Sequence, residues 1–317
     1  MDNGSDTGRP LRVVVVGAGV TGLAAAHAFE SAGIAYVVVE RQAEVAPPAG
    51  ATIGLFPSTL RVLKQFGVLD LVEDGSDPFE DGFSNRDARG RVLSSPSWRQ
   101  CLRDNLGHDF RVLERRAFLQ ILYDALPDKS KIRLGRTATK VQDGPDAVHV
   151  DLDDGSRETG DVVLGADGVR SFVRQAMWEE AHLEPGTVKD EAAITTTWRC
   201  LFGVGPGEPG RPNAISVSSF PGKRSVVVSH QPNLSSFTFF WKTERRPLAA
   251  RTRYTADDAA EAAASIAHLP LDEKRTFADV WDRRQRAQLV DIQEGVLSRW
   301  HYGRYVLVGD AAHKVRD

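Results

Sequence analysis

The length and composition of the chain are those of an ordinary folded protein, and they exclude several protein classes. Its 317 residues include 41% hydrophobic and 26% charged residues, so the chain can bury a large core and disorder is not expected. Lysine and arginine total 40 against 43 acidic residues. The resulting formal net charge of −3 argues against a nucleic acid as the partner.

The cysteines and the apolar runs bear on location and metal binding. Cys101 and Cys200 are far apart and show neither CxxC nor Cys/His metal spacing, so no disulfide framework and no metal site are predicted. A reducing, cytoplasmic location is expected. The N-terminal segment lacks an apolar signal region, and no apolar run approaches the ~20 residues that a membrane span needs. The sequence therefore predicts a soluble chain without a membrane segment.

The N-terminal part of the chain predicts a strand–helix–strand unit. A buried parallel strand is expected over 11–16, followed by a glycine-rich turn, a helix through about Ser31 and a second strand over 34–40. Helices with one apolar face are then predicted over 57–66 and 115–126.

Strand patterns dominate the rest of the chain. From about 131 to 164, short alternating runs break at Gly or Asp, as they do in a β-meander. Further strand-like runs over 193–242 predict a second sheet, before an Ala-rich helix at 257–268 and a last buried strand at 305–310. We therefore expect two interleaved domains, a mostly parallel α/β domain that the chain visits three times and a mostly antiparallel domain.

The segment Gly17–Gly22 reads GAGVTG and matches the pattern GxGxxG. In this pattern Gly17 makes the tight turn, Gly19 lets a pyrophosphate approach the backbone, and Gly22 lets helix and strand pack closely. Glu40 ends the second strand, where a carboxylate can accept both ribose hydroxyls. Because the motif follows a strand and opens a helix, it predicts dinucleotide binding, with a purely structural glycine turn as the alternative. FAD and NAD both use this unit, so the motif alone does not choose between them.

Two later segments narrow the choice of cofactor. The segment 165–178, GADGVRSFVRQAMW, places Asp167 and Gly168 at a strand-to-helix turn, with Arg174 in the helix that follows. The segment YVLVGDAAH begins at the last predicted strand and places Asp310 at the end of that strand. There its carboxylate can accept a hydroxyl of a flavin's ribityl chain.

With these three segments the sequence resembles the group A flavin monooxygenases, the p-hydroxybenzoate hydroxylase-like family, whose fingerprints are GxGxxG, a DG motif and a GD motif. All three occur here in the family's order. The finer resemblance is to the fungal FAD-dependent monooxygenases of terpenoid and indole-diterpene pathways, and it is carried by the segments 40–57, 121–132 and 300–314.

The resemblance implies an α/β fold in which a Rossmann-like FAD-binding domain is interleaved with an antiparallel β-sheet substrate domain. The FAD-binding domain would comprise 9–80, 110–182 and 290–317, and the substrate domain 81–109 and 183–289. Cofactor contacts would come from Gly17, Gly19, Gly22, Glu40, Arg41, Gly54, Arg115, Asp167 and Asp310. Of these, Glu40 would bind the ribose and Arg115 would point toward FAD from the start of its helix. Arg116 is the competing choice for that arginine.

The family's chemistry implies the reaction. NAD(P)H reduces FAD, and one oxygen atom of O2 is inserted into a small hydrophobic substrate, here a terpenoid or polyketide-like secondary metabolite, by hydroxylation or epoxidation. An FAD reductase or halogenase on the same fold and a degenerate flavoprotein without activity are the alternatives. The catalytic residues stay unknown: Arg199 and Phe220 are candidates on the second sheet, with core packing as the other interpretation. His313 is expected to be structural, as part of the GD motif, with a catalytic base as the alternative.

The resemblance ends with the GD motif. The family continues from this motif into PxxGxG and a helix that faces the flavin, whereas this sequence reads HKV and then Arg316–Asp317. We therefore expect a C-terminally truncated member that binds FAD weakly and shows little coupled activity. Full-length relatives can carry apolar C-terminal helices that attach them to membranes.

Overall fold

The chain forms two compact units. The computed structural model describes residues 10–47, 50–77, 79, 82–181, 194–208, 210, 213–248 and 252–314. Unit 1 comprises Met1–Pro47, Leu122–Ala193 and Gly295–Val315, and unit 2 comprises Pro48–Ile121, Ile194–Glu294 and Arg316–Asp317. The predicted domain limits at 9, 80, 81, 182 and 183 and the C-terminal residues 315–317 lie outside the described residues.

Strands and helices follow one another along the described part of the chain. The strands are β1 (Arg12–Val16), β2 (Ala35–Glu40), β3 (Thr52–Leu55), β4 (Phe83–Arg86), β5 (Val92–Ser94), β6 (Arg111–Glu114), β7 (Ile132–Leu134), β8 (Ala138–Asp143), β9 (Val148–Leu152), β10 (Arg157–Gly160), β11 (Val162–Gly165), β12 (Thr195–Gly205), β13 (Ala214–Phe220), β14 (Arg224–His230), β15 (Ser235–Pro247), β16 (Arg286–Val296), β17 (His301–Tyr302), β18 (Tyr305–Leu307) and β19 (His313–Lys314). The α-helices are α1 (Val20–Ala32), α2 (Pro57–Gln65), α3 (Leu69–Asp74), α4 (Trp98–Leu106), α5 (Arg115–Asp124), α6 (Phe172–Glu180), α7 (Ala256–Ile266) and α8 (Phe277–Asp282).

The main sheet of unit 1 is mostly parallel. Its strand order is β17-β18-β11-β1-β2-β7, and its strands pair in parallel except for β17 with β18. The central strands β1 and β2 contain continuous runs of buried valine, because both faces of a parallel sheet are covered. The predicted strand–helix–strand unit is therefore present as β1, α1 and β2.

Part of the predicted meander belongs to this parallel sheet instead. β8, β9 and β10 form a three-stranded antiparallel sheet, but β7 pairs in parallel with β2, and β11 with β1. β11 reads VVLG, an apolar run that suits a central parallel strand. β9 reads VHVDL, and its alternation suits a strand with one buried face.

Unit 2 is built on a long sheet whose two faces differ. Its strand order is β16-β12-β15-β14-β13-β4-β5, antiparallel between β16 and β13, with β13 and β4 parallel. The helix-covered face packs against α7 and α8 through a core that contains Leu201, Phe239 and Phe277. Successive side chains of a strand point to opposite faces. Phe202 and Phe240 therefore lie on the opposite face, where they are half-buried.

A two-stranded ribbon, β3 paired with β6, contacts the opposite face. The side-chain oxygens of Thr52 and Ser236 lie 3.3 Å apart, and Arg286 pairs with Glu114. Ser236 and Arg286 both stand beside Val204 in the registers of β15 and β16 with β12, so the two contacts lie in one row of the sheet. These contacts tie the ribbon to the long sheet of unit 2. Its place in the FAD-binding domain stays a prediction.

Candidate functional site

The turn between β1 and α1 has a shape that favours glycine. Gly17 has a φ of +104°, and a Cβ there would lie 2.6 Å from the carbonyl oxygen of Ala166. A Cβ on Gly22 would lie 1.9 Å from the carbonyl oxygen of Gly17. Turn, strand and helix therefore approach one another backbone to backbone, which is the close packing expected of this glycine pattern.

Helix α1 begins without a side-chain cap. Its N-cap is Gly19, which supplies no side-chain acceptor, and its first turn contains no acidic residue. The N–H groups of a first helical turn have no intrahelical partner, and the helix dipole adds positive potential at this end. This end of α1 can therefore bind an anion such as a pyrophosphate.

Glu40, the last residue of β2, is held in place by two backbone N–H groups. One carboxylate oxygen accepts from the N–H of Ala18 at 2.7 Å, and the other accepts from the N–H of Gln42 at 2.8 Å. Each carboxylate oxygen can accept a further hydrogen bond. The carboxylate is thus fixed beside the glycine turn and can still accept ribose hydroxyls, so these residues fit the adenosine half of FAD. Arg41 follows it and is exposed.

Asp167 in the DG segment binds its own turn. It accepts from the hydroxyl of Ser171 and from the N–H groups of Phe172 at 2.6 Å and Val173 at 3.1 Å, at the start of α6. Burial raises the pKa of Asp167, although these hydrogen bonds favour the carboxylate. The geometry gives Asp167 a capping role, and a contact with the cofactor stays a prediction.

Arg174 connects the DG segment to the GD segment. The sequence alone did not predict this role. Its side chain is buried and donates to the carbonyl oxygens of Val169 at 2.7 Å and Ala311 at 2.9 Å. Its guanidinium also lies 5.4 Å from the centre of the Trp178 ring. A buried arginine satisfied by carbonyl oxygens holds the turn after β18 against the turn before α6.

The GD segment bends earlier than predicted. β18 ends at Leu307, and Gly309–Ala311 form a 3-10 turn, so Asp310 lies in an exposed turn rather than in a buried strand. Gly309 has a φ of +58°, and a Cβ there would lie 2.5 Å from the hydroxyl oxygen of Thr21. The turn therefore packs against the first turn of α1. Asp310 pairs with Lys314 four residues later.

The side chain of His313 packs against an aromatic ring. Its ring stacks on Trp300, with the ring centres 5.0 Å apart and 15° between the planes. The indole N–H of Trp300 donates to the carbonyl oxygen of Leu297 at 2.8 Å, which fixes the stack. This arrangement favours the structural interpretation of the histidine.

Gly54 and the two arginines of α5 lie in unit 2. A Cβ on Gly54 would lie 2.6 Å from the Phe110 ring, so the glycine lets that ring cross β3. Arg115 is half-buried, and its backbone N–H donates to the carbonyl oxygen of Ala51 at 3.0 Å. Arg116 is exposed. Both arginines lie in the first turn of α5, and both stay candidates for the cofactor contact.

The two catalytic candidates lie on the helix-covered face. Phe220 is buried in the core, with its ring centre 6.1 Å from that of Phe239. The Nε of Arg199 lies 3.5 Å from a carboxylate oxygen of Asp291, and its guanidinium lies 4.8 Å from the centre of the Tyr254 ring. Packing therefore accounts for Phe220, and an ion pair and a ring contact account for Arg199. A catalytic role for either residue stays a prediction.

The described residues also bear on membrane insertion and metal binding. No helix among them is long and apolar enough to cross a membrane. No group of three or more His, Cys, Asp or Glu residues in the same part of the chain could hold a metal ion. Both cysteines are free, Cys101 exposed and Cys200 buried.

Curated relatives match nearly the whole chain. The FAD-dependent monooxygenase DEP2 of Fusarium langsethiae is 37% identical over 313 residues, which cover 96% of this chain and 60% of the relative. The FAD-dependent monooxygenase olcE of Penicillium canescens is 34% identical over 323 residues, which cover 97% of this chain and 67% of the relative. The chain thus spans 60% to 67% of the length of these two relatives.

The fold and the family match known flavoproteins. Klebsiella pneumoniae HpxO complexed with FAD and uric acid superposes with a TM-score of 0.75 at 22% identity, over 96% of this chain and 73% of that one. The FAD binding domain family matches residues 10–316. The predicted fold class and the predicted resemblance are therefore confirmed. The chain belongs to the FAD binding domain family, whose cofactor is FAD.

Proposed function

We propose that this chain is part of a monooxygenase that uses NAD(P)H and O2 to hydroxylate or epoxidise a hydrophobic secondary metabolite of terpenoid or polyketide-like type. The names of its fungal relatives, FAD-dependent monooxygenases DEP2 and olcE, support the reaction class. Bound FAD would supply the redox chemistry by accepting a hydride and activating O2. The protein's own residues would bind the cofactor and orient the substrate.

The observation that carries this proposal is the fixed carboxylate of Glu40 beside the uncapped start of α1. Glu40 would accept the ribose hydroxyls, and the first N–H groups of α1 would bind the pyrophosphate. Asp310, exposed in its turn, would contact the ribityl chain or the pyrophosphate. The other proposed contacts are Gly17, Gly19, Gly22, Arg41, Gly54, Asp167 and one of the two arginines that open α5.

Titration of FAD into a Glu40→Ala variant tests the proposal. Loss of a charged acceptor should weaken FAD binding by ~1.5–3 kcal/mol. Glu44→Ala is the matched control, because Glu44 is an exposed acid four residues later and should leave the dissociation constant unchanged. Thermal melting must show that both variants stay folded, since Glu40 also holds two backbone groups. An unchanged dissociation constant for Glu40→Ala would mean that FAD does not use this carboxylate.

Turnover assays test the reaction itself. In the whole monooxygenase of which this chain is part, with FAD bound, hydrophobic terpenoid or polyketide-like compounds should stimulate NAD(P)H oxidation, and the product should carry one atom of isotopically labelled O2. NAD(P)H oxidation that no candidate substrate stimulates, with all of the oxygen recovered as hydrogen peroxide, would contradict a monooxygenase.

We also propose a reducing, cytoplasmic location. Both cysteines are free, which supports a compartment in which thiols stay reduced. The formal net charge of −3 supports small molecules rather than nucleic acid as the partners.

A further inference from the structure

The opposite face of the long sheet in unit 2 contains a small cavity that none of the proposed cofactor contacts lines. Its volume is about 130 Å³, and its lining includes Phe202, Val204, Arg286, Gln288 and Gly50. In the register of β12 with β16, Phe202 stands opposite Gln288 and Val204 opposite Arg286. Residues that stand opposite each other in an antiparallel pair share a face. The cavity is therefore built into the sheet.

The size of the cavity limits what can enter it. A protein cavity of ~150 Å³ with apolar walls binds benzene, so the volume of about 130 Å³ suits a single six-membered ring. The half-buried ring of Phe202 and the buried side chain of Val204 supply apolar contacts to such a ring. The cavity thus favours one ring of a larger apolar molecule.

Two polar side chains of the lining have hydrogen-bonding capacity left over. Within the described residues, no side-chain hydrogen bond involves Gln288, which lines the cavity and is exposed. Arg286 pairs with Glu114, but its Nε is buried and has no hydrogen-bond partner in the described part of the chain. Buried polar groups are nearly always hydrogen-bonded in folded proteins. A ligand oxygen at this place would satisfy the buried Nε of Arg286 and could also bind the exposed carboxamide of Gln288 in place of solvent.

The cavity adjoins a residue that is predicted to reach FAD. A Cβ on Gly50, which lines the cavity, would lie 3.6 Å from the Cδ of Arg115. Glu114, the ion-pair partner of Arg286, immediately precedes Arg115. A molecule in the cavity would therefore lie close to the start of α5, which is where a substrate is needed if Arg115 contacts the cofactor.

We propose that this cavity holds one ring of the substrate and that the ring carries a hydroxyl or carbonyl oxygen bound by Gln288 and by the Nε–H of Arg286. The carboxamide of Gln288 can donate and accept, whereas Arg286 can only donate. Gln288 is thus a specificity-determining residue that selects an oxygen-bearing ring. This inference rests on the proposed function, because it assigns the cavity to the substrate of that reaction.

Two ring compounds of similar size test the proposal. Fluorine NMR titrations of 4-fluorophenol and 4-fluorotoluene into the whole chain, in the presence of FAD, compare a ring with and without an oxygen. The phenol should bind about three- to tenfold more tightly, the range expected for one net hydrogen bond. Gln288→Leu should abolish this preference, whereas the control Gln65→Leu, at an exposed position of α2, should keep it.

A second variant locates the binding site. Gln288→Phe places a ring in the cavity and should abolish the binding of both compounds, with folding checked by thermal melting. If this variant does not fold, the Gln288→Leu comparison decides. The proposal is overturned if the phenol is not preferred, if Gln288→Leu keeps the preference, or if a folded Gln288→Phe variant still binds both compounds.

An FAD titration separates this inference from the proposed function. A chain that shows the Gln288-dependent preference without binding FAD would contradict the proposed function and leave the cavity assignment standing. A chain that binds FAD through Glu40 but shows no preference for the phenol would contradict the cavity assignment alone.

Discussion

The two units build their candidate sites in different ways. In unit 1 the glycine turn is made of neighbouring residues, and Glu40 comes from the adjacent strand β2. In unit 2 the cavity is lined by residues 202–204 of β12 and 286–288 of β16, which are paired in the sheet but far apart along the chain. The difference shows that a site made by backbone shape leaves a recognisable local motif. A site made by side chains across a sheet depends on register and on which face is covered.

The largest expected effect comes from the backbone contact of unit 1. In Gly22→Ala the new Cβ would lie 1.9 Å from the carbonyl oxygen of Gly17. We expect a loss of about 4 kcal/mol or more in the free energy of unfolding, in the exceptional range for one substitution, together with loss of FAD binding. Denaturant unfolding and FAD titration measure the two effects.

Gly33→Ala is the matched control for this substitution. Gly33 has a φ of +67°, but no heavy atom lies within 4 Å of the position that a Cβ would take there. It should therefore cost only the ~1–2 kcal/mol of a left-handed backbone. Equal destabilisation by the two substitutions would mean that close packing at Gly22 is not what requires a glycine.

The two faces of the sheet in unit 2 can be compared through adjacent phenylalanines. Phe239 is fully buried on the helix-covered face, so Phe239→Ala should lower the free energy of unfolding by about 3–5 kcal/mol. Phe240 is half-buried on the opposite face, and Phe240→Ala should cost about 1–2 kcal/mol. Urea unfolding of both variants measures the difference. Similar costs would show that the two faces are not covered as described.

The arginines that open α5 test whether unit 2 contributes a charged side chain to the cofactor site. Arg115 is half-buried and Arg116 is exposed. Replacing the arginine that contacts FAD by alanine should weaken FAD binding by about 1.5–3 kcal/mol, the worth of a hydrogen bond to a charged group. The other replacement serves as its control. We expect the effect at Arg115, and a loss of affinity confined to Arg116→Ala would reverse the assignment.

The smallest expected effects come from two acidic residues, one in each unit, whose charges stabilise the fold. Their contributions to the free energy of unfolding should be similar and should depend on pH. Burial acts to raise the pKa of Asp109 in unit 2, but its hydrogen bonds with Arg99 and Arg103 outweigh burial and lower it. Glu158 in unit 1 has a lowered pKa because its arginine partners likewise outweigh burial. A lowered pKa stabilises the fold above the unfolded-state pKa of about 4, and this stability is lost as the pH falls through the folded-state pKa.

Replacing either acid by its amide should remove the stability that the ionised carboxylate contributes. Asp109→Asn and Glu158→Gln should each lower the free energy of unfolding by about 1 kcal/mol at neutral pH, because their partners are partly exposed. The difference from the unmodified chain should shrink toward strongly acidic pH, which unfolding curves at several pH values measure. A difference that stays constant with pH would show that the charge of these residues does not stabilise the fold.

Several elements could be predicted because their signals are local. The valine runs of β1 and β2 and the apolar faces of α2 and α5 give the periodicity that predictions use. Other elements lack such a signal. α4 has Trp98 and Leu102 one turn apart and partly buried, but none of its residues is fully buried, so its apolar signal is short. β16 mixes polar and apolar residues with a single buried leucine. β18 is shorter than predicted because the left-handed Gly309 turns the chain after Leu307.

The sequence by itself determined the family, the cofactor and the glycine turn, because these depend on residue types at fixed short spacing and on the order of three motifs. Tertiary structure decided which side chains of unit 2 are available to a ligand. Alternation along β12 and β13 shows that a strand has two faces, but it does not show which face will be covered. That choice was made by α7 and α8, which bury Phe220 and leave Phe202 half-buried beside the cavity. Because α7 and α8 are distant in sequence from β12 and β13, no local pattern in either strand shows which face the helices will cover.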